Sequence, residues 1–190
     1  MEEKFRWTIP NILSIYRLCV SPVILATLIF SNYSLFTVLL IISLITDILD
    51  GFIARQFNLQ TKIGAKLDSI ADAVTVILGI IGMFKFKIEV VSPFLTPFFI
   101  LICFYFAVYI LSALKFRKFS SLHLYSAKIT GYVQGIFFFV LFCLHLYQWT
   151  FWIMFAVSML SYIEEILAIL LLKEPISNAK GIYWIIKNKV

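Results

Sequence analysis

Six long apolar runs dominate the sequence, at residues 12–30, 34–53, 67–86, 93–114, 127–147 and 151–172. Each has the length a helix needs to cross the hydrocarbon core of a bilayer, roughly 20 residues. Lipid offers no hydrogen bonds to the backbone, so only helices and closed barrels cross it. A barrel requires many short alternating strands, and these runs are instead unbroken stretches of Leu, Ile, Phe and Val. The expected fold is therefore all-α: a polytopic membrane protein with six transmembrane helices. Composition agrees. The chain is 62% hydrophobic and only 14% charged, with mean hydropathy +1.00, too little polar surface for a soluble domain of 190 residues. What lies outside the runs is too short for a separate soluble domain, so residues 1–190 read as one membrane-embedded domain.

The lysines and arginines assign an orientation. Of the 16, all but Lys85 and Lys87 fall in one set of segments, from Lys4, Arg6 and Arg17 through Arg55 and Lys115 to Lys189. Positive charge concentrates on the cytoplasmic side, so both termini are expected there. The net charge of +6 then belongs to a membrane face that can meet anionic headgroups, with no need for a nucleic-acid partner. Residues 2–17 mix charges with Phe5, Trp7, Ile9, Ile12 and Leu13, the pattern of a short N-terminal interfacial helix. Two glutamates lead this segment and no small-residue cleavage site follows, so the first span is expected to be retained. Cys19, Cys103 and Cys143 sit inside apolar runs with neither metal nor disulfide spacing.

Against this background the segment TDILDGFIARQFNLQTKIGAKLDSIAD, residues 46–72, carries four aspartates. Asp47 and Asp50 are three apart near the inner end of the second span. Asp68 and Asp72 are four apart at the start of the third. On helices each pair shares one face, so two neighbouring helices can turn all four carboxylates toward one another. Bare, they repel. Hard divalent cations such as Mg²⁺ favour carboxylate oxygens and keep positions open for water or phosphate, and clustered acids within a membrane point to function. Gly51, Ala54 and Gly64 are small enough for a bulky ligand to approach the helix backbone, and Arg55 offers a planar cationic fork suited to phosphate. Metals, an arginine and a small-residue floor describe a diphosphate site. The plain alternative is four solvated helix-end acids with a packing glycine.

These residues spell D-x-x-D-G-x-x-A-R-x8-G-x3-D-x3-D, with every fixed position present: Asp47, Asp50, Gly51, Ala54, Arg55, Gly64, Asp68 and Asp72. The segment resembles the signature of the CDP-alcohol phosphatidyltransferase family, and the six-span layout with cytoplasmic termini is similar to that family's. The resemblance implies transfer of a phosphatidyl group from CDP-diacylglycerol to the hydroxyl of a small alcohol, releasing CMP. It implies Mg²⁺ or Mn²⁺, two per active site, on Asp47, Asp50, Asp68 and Asp72. It gives Asp72 the role of general base and places Asp50, Gly51, Ala54, Arg55 and Gly64 at the CDP. It further implies a homodimer, with each active site open to the cytoplasm and to lipid; the membrane expected is the bacterial cytoplasmic membrane.

The acceptor is read from elsewhere. IPNILSIYR, residues 9–17, resembles the opening of phosphatidylglycerophosphate synthases and of cardiolipin synthases, and residues 112–132 resemble the matching stretch of the glycerophosphate enzymes. Those enzymes carry Pro and Lys where this chain has Ser69 and Ala73, and LDS-x-AD is closer to phosphatidylserine synthases. Arg117, Lys118 and Lys128 could hold an acceptor phosphate or could be ordinary flanking charge. Glycerol 3-phosphate is the expected acceptor; serine, inositol phosphate and phosphatidylglycerol are alternatives. A transporter using buried acids, or an inactive homologue, would be a different class. His123, Tyr125 and His145 read as interfacial residues. Glu164 and Glu165, adjacent in the last span, must face different directions.

Overall fold

The computed structural model describes residues 7–57, 59, 61–116, 124–172 and 181–187. The described residues form helices α1 (Ile9–Ile29), α2 (Tyr33–Gln56), α3 (Lys62–Phe86), α4 (Ile88–Val91), α5 (Leu95–Phe116), α6 (Tyr125–Cys143), α7 (Gln148–Leu171) and α8 (Ile182–Lys187). A 3₁₀ turn, Ser92–Phe94, precedes α5, and no strand occurs among the described residues. Six of the helices are long and apolar enough to cross a membrane, matching the six runs to within a few residues at each edge. Large side chains stand on the outside, including Phe30, Leu114 and Leu160, each more than two-thirds exposed. An outer surface of this kind is stable in lipid and not in water. The protein is an integral membrane protein.

The helix ends follow from local chemistry. Pro10 lies in the first turn of α1, where its missing N–H is no loss and its fixed φ suits the helix. Ser31 takes φ +56° in the turn to α2, and the Asn32 side chain then caps α2 by accepting from the Leu35 N–H at 3.1 Å. Thr61 caps α3 through the Gly64 N–H at 2.9 Å. Of the expected interfacial segment, residues 9–17 are the first part of α1, continuous with the span; Trp7 precedes it and is exposed. Residues 1–6 lie outside the described part.

Two compact units make up the chain, Met1–Val91 and Ser92–Val190. In the first, α1 packs against both α2 and α3. Phe36 of α2, fully buried, presses its ring onto the backbone of Gly82 in α3, where any side chain would collide with it. The rings of Tyr33 and Phe36 both meet Phe86 at 5.4 Å. Without a hydrophobic drive between helices in lipid, such small-residue approaches supply much of the cohesion. In the second unit α7 is central and packs against α5, α6 and α8. Phe151, fully buried, meets the tilted ring of Phe94 at 4.5 Å and the ring of Phe137 edge-on at 6.0 Å. The short helix α8, which the sequence reading did not anticipate, seats Ile185 on Leu172, Ile169 and Leu124.

The Phe36–Gly82 contact is testable. Gly82→Val places two methyls inside the Phe36 ring position, an overpacking that typically costs about 1–3 kcal/mol. The thermal unfolding midpoint in detergent should fall by several degrees. Gly135→Ala, whose new Cβ meets nothing within 4 Å, should leave the midpoint unchanged or slightly raised. Equal midpoints for the two variants would contradict the packing described here.

Candidate active site

The site is built on α1, α2 and α3. Asp47 and Asp50 lie in the second half of α2, Asp68 and Asp72 in the first half of α3, and α1 supplies the residue at their centre. Arg17 of α1 donates from Nη1 to Asp47 Oδ1 and Asp72 Oδ1, both at 2.5 Å. Its Nη2 donates to Asp50 Oδ2 at 2.7 Å and to Asp68 Oδ1 at 2.5 Å. Each of the two Nη atoms thus joins one carboxylate of α2 to one of α3. At about 1.5 Å per residue, Arg17 is roughly 12 Å along α1 from its first turn. The spacing predicted that the two pairs would share faces on adjacent helices, and the four carboxylates do gather around one point.

The rest of the α1 face fits the same purpose. Pro10, Asn11, Ser14 and Arg17 are all buried, a stripe at positions i, i+1, i+4 and i+7 that winds along one side of the helix. Ser14 Oγ lies 3.3 Å from Asp50 Oδ2 and 3.2 Å from the Pro10 carbonyl. Asn11 Nδ2 reaches Thr61 Oγ1 at 3.4 Å, the same oxygen that caps α3. Gly64 faces Asn11 closely enough that a Cβ would overlap the Asn11 carbonyl oxygen. The close approach at Gly64 is therefore between helices α1 and α3. At Gly51 the arrangement differs: a Cβ there would lie 3.5 Å from Arg55 Nη1, so the Arg55 side chain folds back over the glycine one turn earlier. Ala54 stands beside them, partly exposed.

Burial sets the electrostatics. The Arg17 side chain is 0% exposed and that of Asp50 3%, while Asp47, Asp68 and Asp72 are 37%, 39% and 44% exposed. The cluster therefore has a closed side, holding the guanidinium, and an open side formed by three carboxylates. Removing one partner of such a buried pair typically costs about 3–5 kcal/mol, because the other charge is left uncompensated. One guanidinium against four carboxylates still leaves an excess of negative charge, which favours further cations.

The donors suit a hard divalent ion. One carboxylate oxygen from each of Asp47, Asp50 and Asp68 lies within 4.8 Å of the other two. Mg²⁺ takes oxygens at about 2.0–2.1 Å, which puts ligand atoms up to about 4.2 Å apart, so small side-chain adjustments bring these three to one ion. Asp72 joins the group through Arg17.

Lys128, His145, Glu164 and Glu165 belong to the second compact unit. Arg117, Lys118 and His123 lie outside the described residues. Lys128 places Nζ 5.2 Å from the centre of the Tyr125 ring, a cation–π contact within one turn of α6. His145 is exposed between α6 and α7, near Tyr147, whose ring stacks in turn with Trp149, consistent with an interfacial belt. The adjacent glutamates diverge: Glu164 Oε1 accepts the Ile182 N–H at 2.9 Å and so holds the start of α8, while Glu165 is buried. The residue that sequence reasoning missed is Arg17, counted there as a flanking cytoplasmic charge. Its signal was present in the i, i+3, i+6 run of Asn11, Ser14 and Arg17 along an otherwise apolar helix.

Comparison with known proteins bears on the same region. The chain is 37% identical over 94 residues to a CDP-diacylglycerol–glycerol-3-phosphate 3-phosphatidyltransferase of Aquifex aeolicus, covering 50% of this chain and 52% of that one. It is 38% identical over 84 residues to the protein of the same description in Wigglesworthia glossinidia brevipalpis, covering 43% and 46%. It is 37% identical over 71 residues to a human cardiolipin synthase (CMP-forming), covering 37% of this chain and 24% of that one. The aligned part spans about half or less of these relatives' own length. No solved structure gives a significant match. A family model described as CDP-alcohol phosphatidyltransferase matches residues 7–163, a span that takes in α1, the complete aspartate signature and most of α7. The chain belongs to the CDP-alcohol phosphatidyltransferase family.

Proposed function

We propose that this protein transfers a phosphatidyl group from CDP-diacylglycerol to the hydroxyl of a small alcohol, with release of CMP, and that the acceptor is glycerol 3-phosphate. The observation that carries the reading is the convergence of Asp47, Asp50, Asp68 and Asp72 around one buried guanidinium within an apolar helix bundle. Four acids are costly in such a place, and their arrangement answers the needs of a diphosphate substrate whose acyl chains stay in lipid. Two relatives described as glycerol-3-phosphate enzymes support the acceptor; the cardiolipin synthase likeness keeps phosphatidylglycerol as the second reading. The family match crosses the boundary between the two compact units, which supports treating the chain as one catalytic domain.

Asp47, Asp50 and Asp68 would hold Mg²⁺ or Mn²⁺, with Asp72 beside them, and two ions per site would meet the remaining negative charge. When bound, such ions supply charge neutralisation on the diphosphate and on the departing CMP. The chain's own groups do the rest. Arg55, with its guanidinium laid over Gly51, would meet the cytidine diphosphate as a bidentate donor. Asp72 has the most exposed side chain of the four carboxylates and can receive the proton of the acceptor hydroxyl as that oxygen bonds to phosphorus. The phosphorus–oxygen bond to CMP breaks in the same displacement, and the proton leaves on Asp72. Arg117, Lys118 and Lys128 would meet the acceptor phosphate. The reading places the site on the cytoplasmic side of a bacterial membrane, in a homodimer.

The direct test offers purified protein CDP-diacylglycerol with glycerol 3-phosphate, serine, inositol phosphate or phosphatidylglycerol in turn, with products weighed by mass spectrometry. Phosphatidylglycerophosphate formed together with CMP is the expected result; CMP release with none of the four acceptors would reject the proposal. Excess chelator should abolish activity and Mn²⁺ restore it, and Asp68→Asn should be inactive while still folded. Asp72→Asn should keep CDP-diacylglycerol binding and lose roughly 10²–10⁴-fold in turnover, the usual worth of a general base; near-normal turnover would remove Asp72 from that role. For sidedness, the native cysteines are first replaced. A single cysteine at Phe57, between α2 and α3, should then be labelled from the cytoplasmic face and one at Asn32 from the opposite face. Labelling of both from one face would refute the orientation.

A further inference from the structure

We propose that Arg17 is the resident counter-cation of the carboxylate cluster: a positioning residue that keeps the four aspartates together without divalent cations and, for the same reason, weakens their hold on those cations. The inference rests on the metal-binding reading above and adds a residue of α1 to it.

Three observations carry it. First, Arg17 is fully buried although it lies within a span, and its fork makes four ion pairs at once, bridging α2 to α3 twice. Its Nε is buried with no hydrogen-bond partner, so the side chain is turned entirely toward the carboxylates. Second, the fork contacts one oxygen of each aspartate, Oδ1 of Asp47, Asp68 and Asp72 and Oδ2 of Asp50. Third, the guanidinium is on the closed side, while Asp47, Asp68 and Asp72 are each more than a third exposed. A divalent ion can therefore reach the open side with Arg17 still beneath.

Two consequences follow from charge alone. Without the guanidinium, four carboxylates in a low-dielectric site repel one another, and only divalent ions remain to hold α2 and α3 together there. With it, an ion entering the open side meets a fixed positive charge a few ångströms away, which opposes binding. The sign of the effect on affinity thus distinguishes a counter-cation from a residue that merely orients ligands, since loss of an orienting contact weakens metal binding.

The test uses the purified full chain in detergent, with Mn²⁺ binding followed by the electron paramagnetic resonance signal of the free ion. Unfolding midpoints are measured in chelator and in Mn²⁺. Arg17→Gln should bind Mn²⁺ about tenfold or more tighter than the unsubstituted protein, as expected for removing a like charge at this range. Its midpoint should drop in chelator and recover in Mn²⁺, giving a wider gap between the two conditions. Arg17→Lys, which keeps the charge and loses the fork, should fall between. Recovery of Arg17→Gln only when Mn²⁺ is present throughout also supports the proposal. Should that variant not fold under either condition, the comparison is made in an Asp50→Asn background, where the buried partner is already neutral; adding Arg17→Gln there should still tighten Mn²⁺ binding. Equal or weaker Mn²⁺ affinity on loss of Arg17, or an unchanged gap in midpoints, would overturn the counter-cation role. Failure of the unsubstituted protein to bind Mn²⁺ at all would instead overturn the metal reading on which it rests.

Discussion

A single buried guanidinium, tied to four carboxylates, is the interaction on which the first half of this protein depends. Each of its partners alone would be unstable within a bilayer. A charged side chain at membrane depth is expensive, and four carboxylates of the same sign compound that cost. Gathered around the Arg17 fork, they become mutually necessary: the two pairs on α2 and α3 need a cation, and the buried cation needs its anionic partners. The cluster therefore fixes which faces of three helices meet. Apolar packing in lipid could not do so alone, since lipid tails compete equally for every leucine.

Close backbone approaches make that meeting possible. Gly64 lets α3 come against Asn11 near one end of the bundle, and Gly82 lets it come against Phe36 farther along the same helix. Between them lie Asp68 and Asp72. The start of α3 is held twice through one oxygen, because Thr61 Oγ1 both caps Gly64 and receives Asn11. The acids of α3 are thus set by contacts on either side of them, which is what a site requiring sub-ångström placement needs from its scaffold.

Much of this was legible in the residues. Unbroken apolar runs fix the number of spans because lipid permits no other solution, and intervals of three and four between aspartates fix their common faces. What escaped was pairing between distant helices. Arg17 reads as a flanking charge because positional statistics treat any arginine near a span end alike; only the neighbours reveal that it points inward. Gly64 is read from its small size as a floor for ligand, yet size alone does not say whether a ligand or a neighbouring helix takes the space. Helix α8 is six residues long, and its order comes from Ile185 in the α7 cluster and from the Glu164 carboxylate on the Ile182 N–H. Both are long-range contacts that no local pattern encodes.

The departures from the glycerophosphate pattern also change meaning once placed. Ser69 and Ala73 follow Asp68 and Asp72 by one residue each, a rotation of about 100° around α3. Both are exposed, and the Ser69 hydroxyl donates to the Ala65 carbonyl at 2.9 Å within its own helix. Neither is a hydrogen-bond partner of the guanidinium, whose partners among the described residues are the four carboxylates. Ser and Ala at these positions are therefore compatible with the carboxylate–guanidinium geometry. Ser69 and Ala73 thus stand on a different side of α3 from Asp68 and Asp72, so these two departures are weak grounds for reassigning the residues gathered around Arg17.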